Sequence, residues 1–282
     1  MDDEPLDKPI TPQSENPLPG IINSKQATEN MEVHKHAHHV MHKKKWTEYF
    51  LEFFMLFLAV FLGFVAENIR ENRHDRKVEK TNIKSILKNL QEDSFNLERS
   101  ASVNEQKIVL IDSLMDLKNS NDADTIFNQH FVYYDLKLGY NDYFQSNQST
   151  FDQMQSSGTL RLISHNGVLD SILRYEAMYK ELKSQEGVCA VWWNKAIEQV
   201  SLIFDLTFVS HLPAGGLWEL SLSDVAKFPL SEIDRRSPVV KLYFNWQANG
   251  RLAWGYYVND LHKVLSYNRI LISYLKKEYN IE

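Results

Sequence analysis

The sequence WTEYFLEFFMLFLAVFLGFVAENIRENR, at residues 46–73, decides the fold of this chain. Residues 53–66 form an unbroken apolar run with a glutamate at each end. Extended back to Tyr49, the run reaches the lower end of the roughly 17–25 residues that a membrane-spanning helix needs. It is apolar on every face, whereas a helix on the surface of a soluble domain carries one apolar stripe. The sequence therefore predicts one transmembrane helix at residues 49–66, with a buried helix of a soluble protein as the alternative.

Two heptad patterns follow the apolar run, with residues at the a and d positions recurring at alternating steps of four and three. The first pattern comprises Ile83, Leu87, Leu90, Ser94, Leu97, Ala101, Asn104, Ile108, Ile111 and Met115. The second comprises Trp254, Val258, Leu261, Leu265, Asn268, Ile272, Leu275 and Tyr279. Polar residues in such a seam weaken it and fix its register. The two patterns predict long first and last helices of an antiparallel bundle.

Local signals between the two patterns mark further helix ends. Gly158 is expected to end a helix at residues 151–157, and the break at Asn166 precedes a long helix at about 168–209. Residues 213–216 form the clearest loop, and Ser237 followed by proline is typical of a helix start. No strand alternation persists apart from an ambiguous 131–134. The sequence therefore predicts an all-α fold, with a helical soluble domain at residues 67–282.

The N-terminal region changes character at Met31. Residues 1–30 hold five prolines among acidic and amide side chains, which predicts a disordered leader. Residues 31–48 form a segment rich in histidine and lysine, placed directly before the predicted membrane helix. Either Met1 or Met31 is the physiological start of the protein.

Histidines are the sharpest local feature of this segment. They are His34, His36, His38, His39 and His42. Neutral imidazole binds zinc, copper or nickel, so the cluster is a candidate zinc or copper site. The alternative is a partly protonated collar that contacts anionic lipid head groups together with the lysines at 43–45. No other cofactor is predicted.

Three residues of the predicted membrane helix are candidates for a role beyond anchoring, in proton transfer or in helix pairing. Glu52 lies about one turn inside the hydrophobic stretch, where an ionisable group could carry protons; the alternative is a first-turn anion favoured by the helix dipole. Ala59 and Gly63 form a small-xxx-small pair that lets two helices approach closely.

Aromatic residues of the soluble domain are candidates for lining a ligand pocket, with a role in filling the bundle core as the alternative. These candidates are Trp192, Trp193, Trp218, Trp246 and Trp254. The chain carries no Walker glycine loop, HExxH, GxSxG, CxxC or dinucleotide fingerprint. An enzyme is therefore the least favoured class.

Composition excludes several classes of protein. A net charge of −6 argues against nucleic-acid binding, and a mean hydropathy of −0.40 argues against several membrane spans. Cys189 is the only cysteine, so the chain forms no intramolecular disulfide.

The block HKHAHHVMHKKKWTEYFLEFFMLFLAVFLGFVAENIRENRHDR, residues 34–76, resembles the opening of a bacterial family of single-pass membrane proteins. A second stretch, TFDQMQSSGTLRLI at residues 150–163, is similar to a helix-and-glycine element of that family. The resemblance runs from residue 31 to the C-terminus, strongly in the membrane block and loosely after it. It implies a membrane location and a helical domain, without an established activity or catalytic residues.

Orientation follows from lysines and arginines near the span. They are Lys35, Lys43, Lys44 and Lys45 before it, and Arg70, Arg73, Arg76, Lys77 and Lys80 after it. The compact lysine cluster next to the span favours a cytoplasmic N-terminus and a C-terminal domain outside the inner membrane.

The leading hypothesis is a membrane-anchored scaffold that pairs with itself or with another membrane protein. A ligand-binding sensor bundle is the alternative, and a proton path through Glu52 is the weaker third hypothesis.

Overall fold

The all-α prediction is confirmed by a computed structural model, which describes residues 45–211, 216–217 and 219–281 and contains no strand within them. The helices are α1 (Trp46–Lys118), α2 (Asp124–Leu138), α3 (Ser149–Ser156), α4 (Asn166–Ile203), α5 (Leu222–Val225) and α6 (Pro238–Tyr279). Two 3₁₀ turns, Thr159–Leu162 and Thr207–His211, complete the described secondary structure. The segment at 131–134, ambiguous in sequence, lies within α2.

The chain divides into two units, Met1–Ala59 and Val60–Glu282. The described part of the first unit is the start of α1, where Phe53 is 66% exposed and Leu56 is 71% exposed. By length and composition, α1 is apolar enough to cross a membrane, with a mean hydropathy of 2.3 over its most apolar 18 residues and none of that window buried.

The second unit is a bundle in which α6 lies between α1 and α4 and runs antiparallel to both. Glu98 of α1 contacts Arg269 of α6 at 2.5 Å, and Glu105, seven residues later, contacts His262, seven residues earlier, at 2.7 Å. The contacts between α4 and α6 run in the same order. Ser171 near the start of α4 contacts Tyr267 of α6, and Trp192, later in α4, contacts Trp246, earlier in α6. The predicted antiparallel packing of the long helices is therefore confirmed.

The fourth position of the bundle is filled by α2, an extended segment at residues 139–148, and α3. The hydrogen bonds that place this stretch antiparallel to α1 join Asn89 to Thr150 (2.9 Å), Asp93 to Ser146 (2.6 Å) and Ser100 to Asp142 (2.7 Å). The topology is thus up-down-up-down, with the second element interrupted.

An extended segment inside a helical bundle has backbone groups without intrahelical partners, and buried backbone groups need hydrogen bonds. Five buried polar residues of α1 contact this segment or, in the case of Glu79, Ser164 just before α4. We call them the polar ladder: Glu79, Asp93, Ser100, Asn104 and Lys107. Glu79 accepts from the Ser164 amide at 2.7 Å, and Asn104 donates to the Asp142 carbonyl at 2.8 Å. The polar ladder therefore stabilises the interruption of the second element.

The buried face of α1 is wider than the predicted two-position seam. Ile86 and Leu114 are buried beside the seam, whereas the seam residues Ser94, Ile108 and Met115 are only half-buried. The difference arises because α1 contacts α4, α6 and the extended segment at once, so its apolar stripe covers more than one groove.

Most of the predicted loop at 213–216 lies outside the described residues, and α4 begins at Asn166, two residues before the predicted start. Two other local signals are confirmed. Gly158 has a left-handed φ of 71°, which glycine adopts without strain, and the Ser237 hydroxyl accepts from the Val239 amide at the start of α6. The prediction that α4 continues to about 209 is wrong. It ends at Ile203 because Phe204 turns to extended backbone and buries its ring edge-on against Phe131.

Candidate functional site

A cavity of about 350 Å³ lies where the ends of α2 and α4 meet the 3₁₀ turn at Thr207–His211. Its walls are mainly apolar, from Leu136, Leu138, Trp193, Ala196, Val200 and Leu206. The volume falls within the roughly 300–1,000 Å³ of small-molecule sites. Among the described cavities of this size, it has the most apolar lining, which makes it the candidate site for a small apolar molecule.

The α4 wall of the cavity follows from helical spacing. Trp193, Ala196, Ile197 and Val200 are separated by three, one and three residues, so their side chains share one face of the helix. The Trp193 indole nitrogen donates to the Leu138 carbonyl at 3.2 Å, which fixes the ring against the end of α2. The wall is therefore held by a hydrogen bond as well as by apolar contacts.

Polar groups meet the cavity at one end. The Tyr243 hydroxyl donates to Asp135 Oδ1 at 2.7 Å, and the Gln247 amide donates to that hydroxyl at 3.0 Å. Burial raises the pKa of Asp135 to about 6, while the hydrogen bond from Tyr243 acts in the opposite direction. The site thus combines an apolar chamber with one oriented carboxyl group.

A second polar centre surrounds Asp93 in the bundle core. Its carboxylate, 1% exposed, accepts hydrogen bonds from Ser146 Oγ at 2.6 Å, the Asn147 amide at 2.8 Å and the Tyr175 hydroxyl at 2.7 Å. Burial nevertheless raises the pKa of Asp93, because desolvation outweighs these donors. The adjoining cavity is only about 20 Å³, room for one water molecule.

A third polar centre surrounds Lys107, which is 3% exposed. Its ammonium donates to the Asn141 side-chain oxygen and lies 4.1 Å from the centre of the Trp254 ring. Burial lowers the pKa of Lys107 to about 7 and raises that of the neighbouring Cys189 thiol to about 12. Both groups are therefore largely neutral above neutral pH. The second and third centres join α1 to residues 141–147, and the cavity beside Asp93 is too small for an organic ligand.

The predicted pocket tryptophans do not form one site. Trp193 lines the cavity, whereas Trp192 and Trp246 lie against each other with ring centres 5.6 Å apart. Trp254 is 2% exposed in the core and stacks on Tyr143. Trp218 lies outside the described residues.

The other predicted site residues lie on α1 or outside the described part of the chain. Glu52, Ala59 and Gly63 are exposed on α1. Apart from the neighbouring residues and backbone of α1 itself, no described heavy atom lies within 4 Å of the position of a Cβ at Gly63. The proton-path and helix-pairing hypotheses stay predictions. The five histidines at 34–42 lie outside the described residues, so the zinc or copper hypothesis also stays a prediction.

Sequence reasoning missed Asp135, Tyr243 and Gln247. Tyr243 is 108 residues from Asp135 in the chain, so no local spacing joins them. It also missed Glu79, Asp93 and Lys107, although their regular spacing of 14 residues, two heptads, is a signal that the sequence carries.

In comparisons with known proteins, no protein-family model, no curated protein and no solved structure matches the chain. The resemblance of residues 34–76 to a bacterial membrane-protein family stays a prediction.

Proposed function

We propose that the chain is a membrane-anchored helical protein that binds a small apolar molecule in its bundle. The observation that carries this proposal is the cavity of about 350 Å³, with apolar walls and a single oriented carboxyl group. Small-molecule sites share this combination of apolar lining and few polar groups. The sensor-type alternative of the sequence analysis is therefore favoured over the scaffold.

We place the membrane contact at the apolar part of α1. The support is its exposed large side chains and its hydropathy, since apolar surface of this extent on a soluble protein marks an interaction site. The orientation rests on the lysines at 43–45. It puts the N-terminus in the cytoplasm and the bundle outside the inner membrane.

Arginine substitutions test the anchor. We expect Leu56→Arg combined with Val60→Arg to move the protein from alkali-extracted membranes to the soluble fraction, because each central arginine costs about 2.5–3.5 kcal/mol on insertion scales. The matched control is Asn68→Arg with Asn72→Arg, beyond the apolar run, which stays in the membrane. Membrane retention of the first variant contradicts the anchor. The orientation is tested by fusing to the C-terminus a reporter that works only in the cytoplasm. A signal from this fusion contradicts the orientation.

Filling the cavity tests the binding proposal. We expect Ala196→Phe to weaken binding of 4-phenylbutan-1-ol and 4-phenylbutylamine at least tenfold, because the new ring occupies the chamber that Ala196 lines. The measurement is calorimetric titration of the full chain in lipid nanodiscs, with empty nanodiscs as the blank.

The control for this variant is Val191→Phe, an exposed position on the same helix that does not line the cavity. It adds a ring of the same kind without closing the chamber, so both probes bind it as they bind the unchanged protein. Absence of binding to the unchanged protein, or equal binding to both variants, contradicts the proposed function.

The scaffold remains the second candidate, and one observation favours it. Ala59 and Gly63 are exposed on α1, and helix pairs in membranes pack through such small residues. Under this hypothesis the partner is a second copy or another membrane protein. Crosslinking of the full chain in native membranes tests it, and a monomer without crosslinked partners argues against it.

A further inference from the structure

We infer that the cavity selects apolar molecules that carry a protonated amine, over alcohols and carboxylic acids of the same shape. This inference rests on the proposed function, since it names the class of ligand for that site. It starts from the charge of the lining. Among the described residues that line the cavity, Asp135 is the one with an ionisable side chain near neutral pH, and the remaining residues are apolar apart from Gly139 and Gln247.

The charge of the chamber is therefore negative and uncompensated within its lining. A buried charge is stabilised by a partner of opposite sign and destabilised by a like charge. An ammonium group next to Asp135 would supply that partner. A carboxylate ligand would add a second negative charge beside Asp135 in a mainly apolar lining, so its binding is disfavoured.

Geometry also favours a donor head group. The Tyr243 hydroxyl contacts Oδ1 of Asp135, and Gln247 holds that hydroxyl from the following turn of α6. The bond from Tyr243 uses one acceptor position of Asp135 Oδ1, and the carboxylate, which lines the cavity, has further acceptor positions on its two oxygens. An ammonium donates to such an oxygen with a charge-assisted hydrogen bond, about twice as strong as the neutral bond of an alcohol.

The size of the chamber limits the ligand. A cavity of about 350 Å³ holds about a dozen non-hydrogen atoms, at a share of roughly 30 Å³ each. A phenyl ring on a four-carbon chain with one polar head group meets this limit. Three molecules of that frame, 4-phenylbutylamine, 4-phenylbutan-1-ol and 4-phenylbutyrate, differ only in the head group and form a matched series.

Besides Asp135, the residues that line the cavity or hydrogen-bond to its carboxylate come from α2, α4, α6 and the stretch that follows α4. Those of α2 (Leu136, Leu138 and Gly139) and Leu206 and Leu217 carry no titratable side chain. On α6 the residues are Tyr243, whose pKa burial raises well above its ordinary value, and the uncharged Gln247. The α4 wall presents Trp193, Ala196, Ile197 and Val200, and the 3₁₀ turn presents Val209, none of which titrates near neutral pH. A loss of amine binding on acidification through about pH 6 is therefore assigned to Asp135.

The test is a titration of the full chain in nanodiscs with each of the three molecules. The readout is the ¹⁹F resonance of 5-fluorotryptophan at Trp193, assigned with Trp193→Phe, because this ring lines the cavity. We expect the amine to bind at least tenfold tighter than the alcohol, and the carboxylate to produce no shift. In Asp135→Asn we expect the ratio of amine affinity to alcohol affinity to fall from at least ten towards one, because the charge that favours the ammonium is gone.

Equal binding of the amine and the alcohol overturns the inference and leaves the proposed function intact. Binding of none of the three overturns the proposed function itself. If Asp135→Asn does not fold, the pH series on the unchanged protein decides. Amine binding must fall between pH 7 and pH 5 while alcohol binding stays constant, and a flat amine profile overturns the inference.

Discussion

Replacing Asp93 with alanine is expected to lower the free energy of unfolding of the bundle by roughly 3–5 kcal/mol. The carboxylate accepts three hydrogen bonds, two from the half-buried Ser146 and Asn147 of the extended segment and one from the buried Tyr175 of α4. Each buried donor left unpaired costs about 1–3 kcal/mol. Relief of the buried charge offsets part of this loss, because burial already raises the pKa of Asp93.

The measurement for Asp93→Ala is thermal and urea unfolding of the full chain in detergent micelles, followed by circular dichroism. The matched control is Asp116→Ala, on the exposed face of the same helix, which changes stability by less than about 0.5 kcal/mol. A loss for Asp93→Ala no larger than that of the control would show that the extended segment does not depend on this carboxylate.

The second large effect is a gain in stability from Lys107→Met. Lys107 is buried without a carboxylate among its described contacts, which are the Asn141 oxygen and the Trp254 ring. Methionine fills a similar volume without a charge, and replacing buried ionic groups by apolar ones stabilises proteins by about 1–4 kcal/mol. Loss of the cation–π contact, about 1–2 kcal/mol, reduces the net gain to roughly 1 kcal/mol below pH 7.

The gain from Lys107→Met should depend on pH. The folded protein releases the Lys107 proton near pH 7, whereas the unfolded chain keeps it to about pH 10.5. Between these values the unfolded state binds more protons, so the stability of the unchanged protein rises with pH, by up to about 1.4 kcal/mol per unit. The advantage of Lys107→Met is therefore largest below pH 7 and shrinks between pH 7 and pH 9.

This pH dependence is checked by measuring the unfolding of Lys107→Met and of the unchanged protein side by side from pH 6 to pH 9. Lys88→Met, at an exposed position of α1, is the control and shows no such trend. A constant difference between Lys107→Met and the unchanged protein across the series would mean that the buried amine keeps an ordinary pKa.

Asn104 belongs both to the first heptad pattern and to the polar ladder, so it connects the sequence pattern to the architecture. Polar positions in the first heptad pattern were expected to weaken the seam and fix its register. In the bundle, Asn104 and the rest of the polar ladder hydrogen-bond to residues 141–147 and 164. The non-helical stretch at 139–148 needs hydrogen-bond partners for its polar groups, and the buried polar side chains of α1 need partners as well. Each supplies partners to the other.

The candidate site could be predicted only in part. Trp193 was among the aromatic candidates because large rings often line pockets. Asp135 looked like any exposed helical carboxylate, and its role depends on Tyr243, 108 residues away. Because the cavity is the space left where α2, α4 and a 3₁₀ turn diverge, no residue type signals it.

The sequence by itself determined the helical class, the apolar part of α1 and most helix ends. Periodicity and capping act within a few residues, so a glycine at 158 or a Ser-Pro pair at 237–238 specifies its local backbone directly. Only the tertiary structure decided which charges of α1 are buried and where a cavity opens. Those features depend on contacts between residues 34 to 200 positions apart, such as Lys107 with Asn141 and Glu79 with Tyr279. Burial, which sets both the pKa values and the chamber, exists only once the helices pack together.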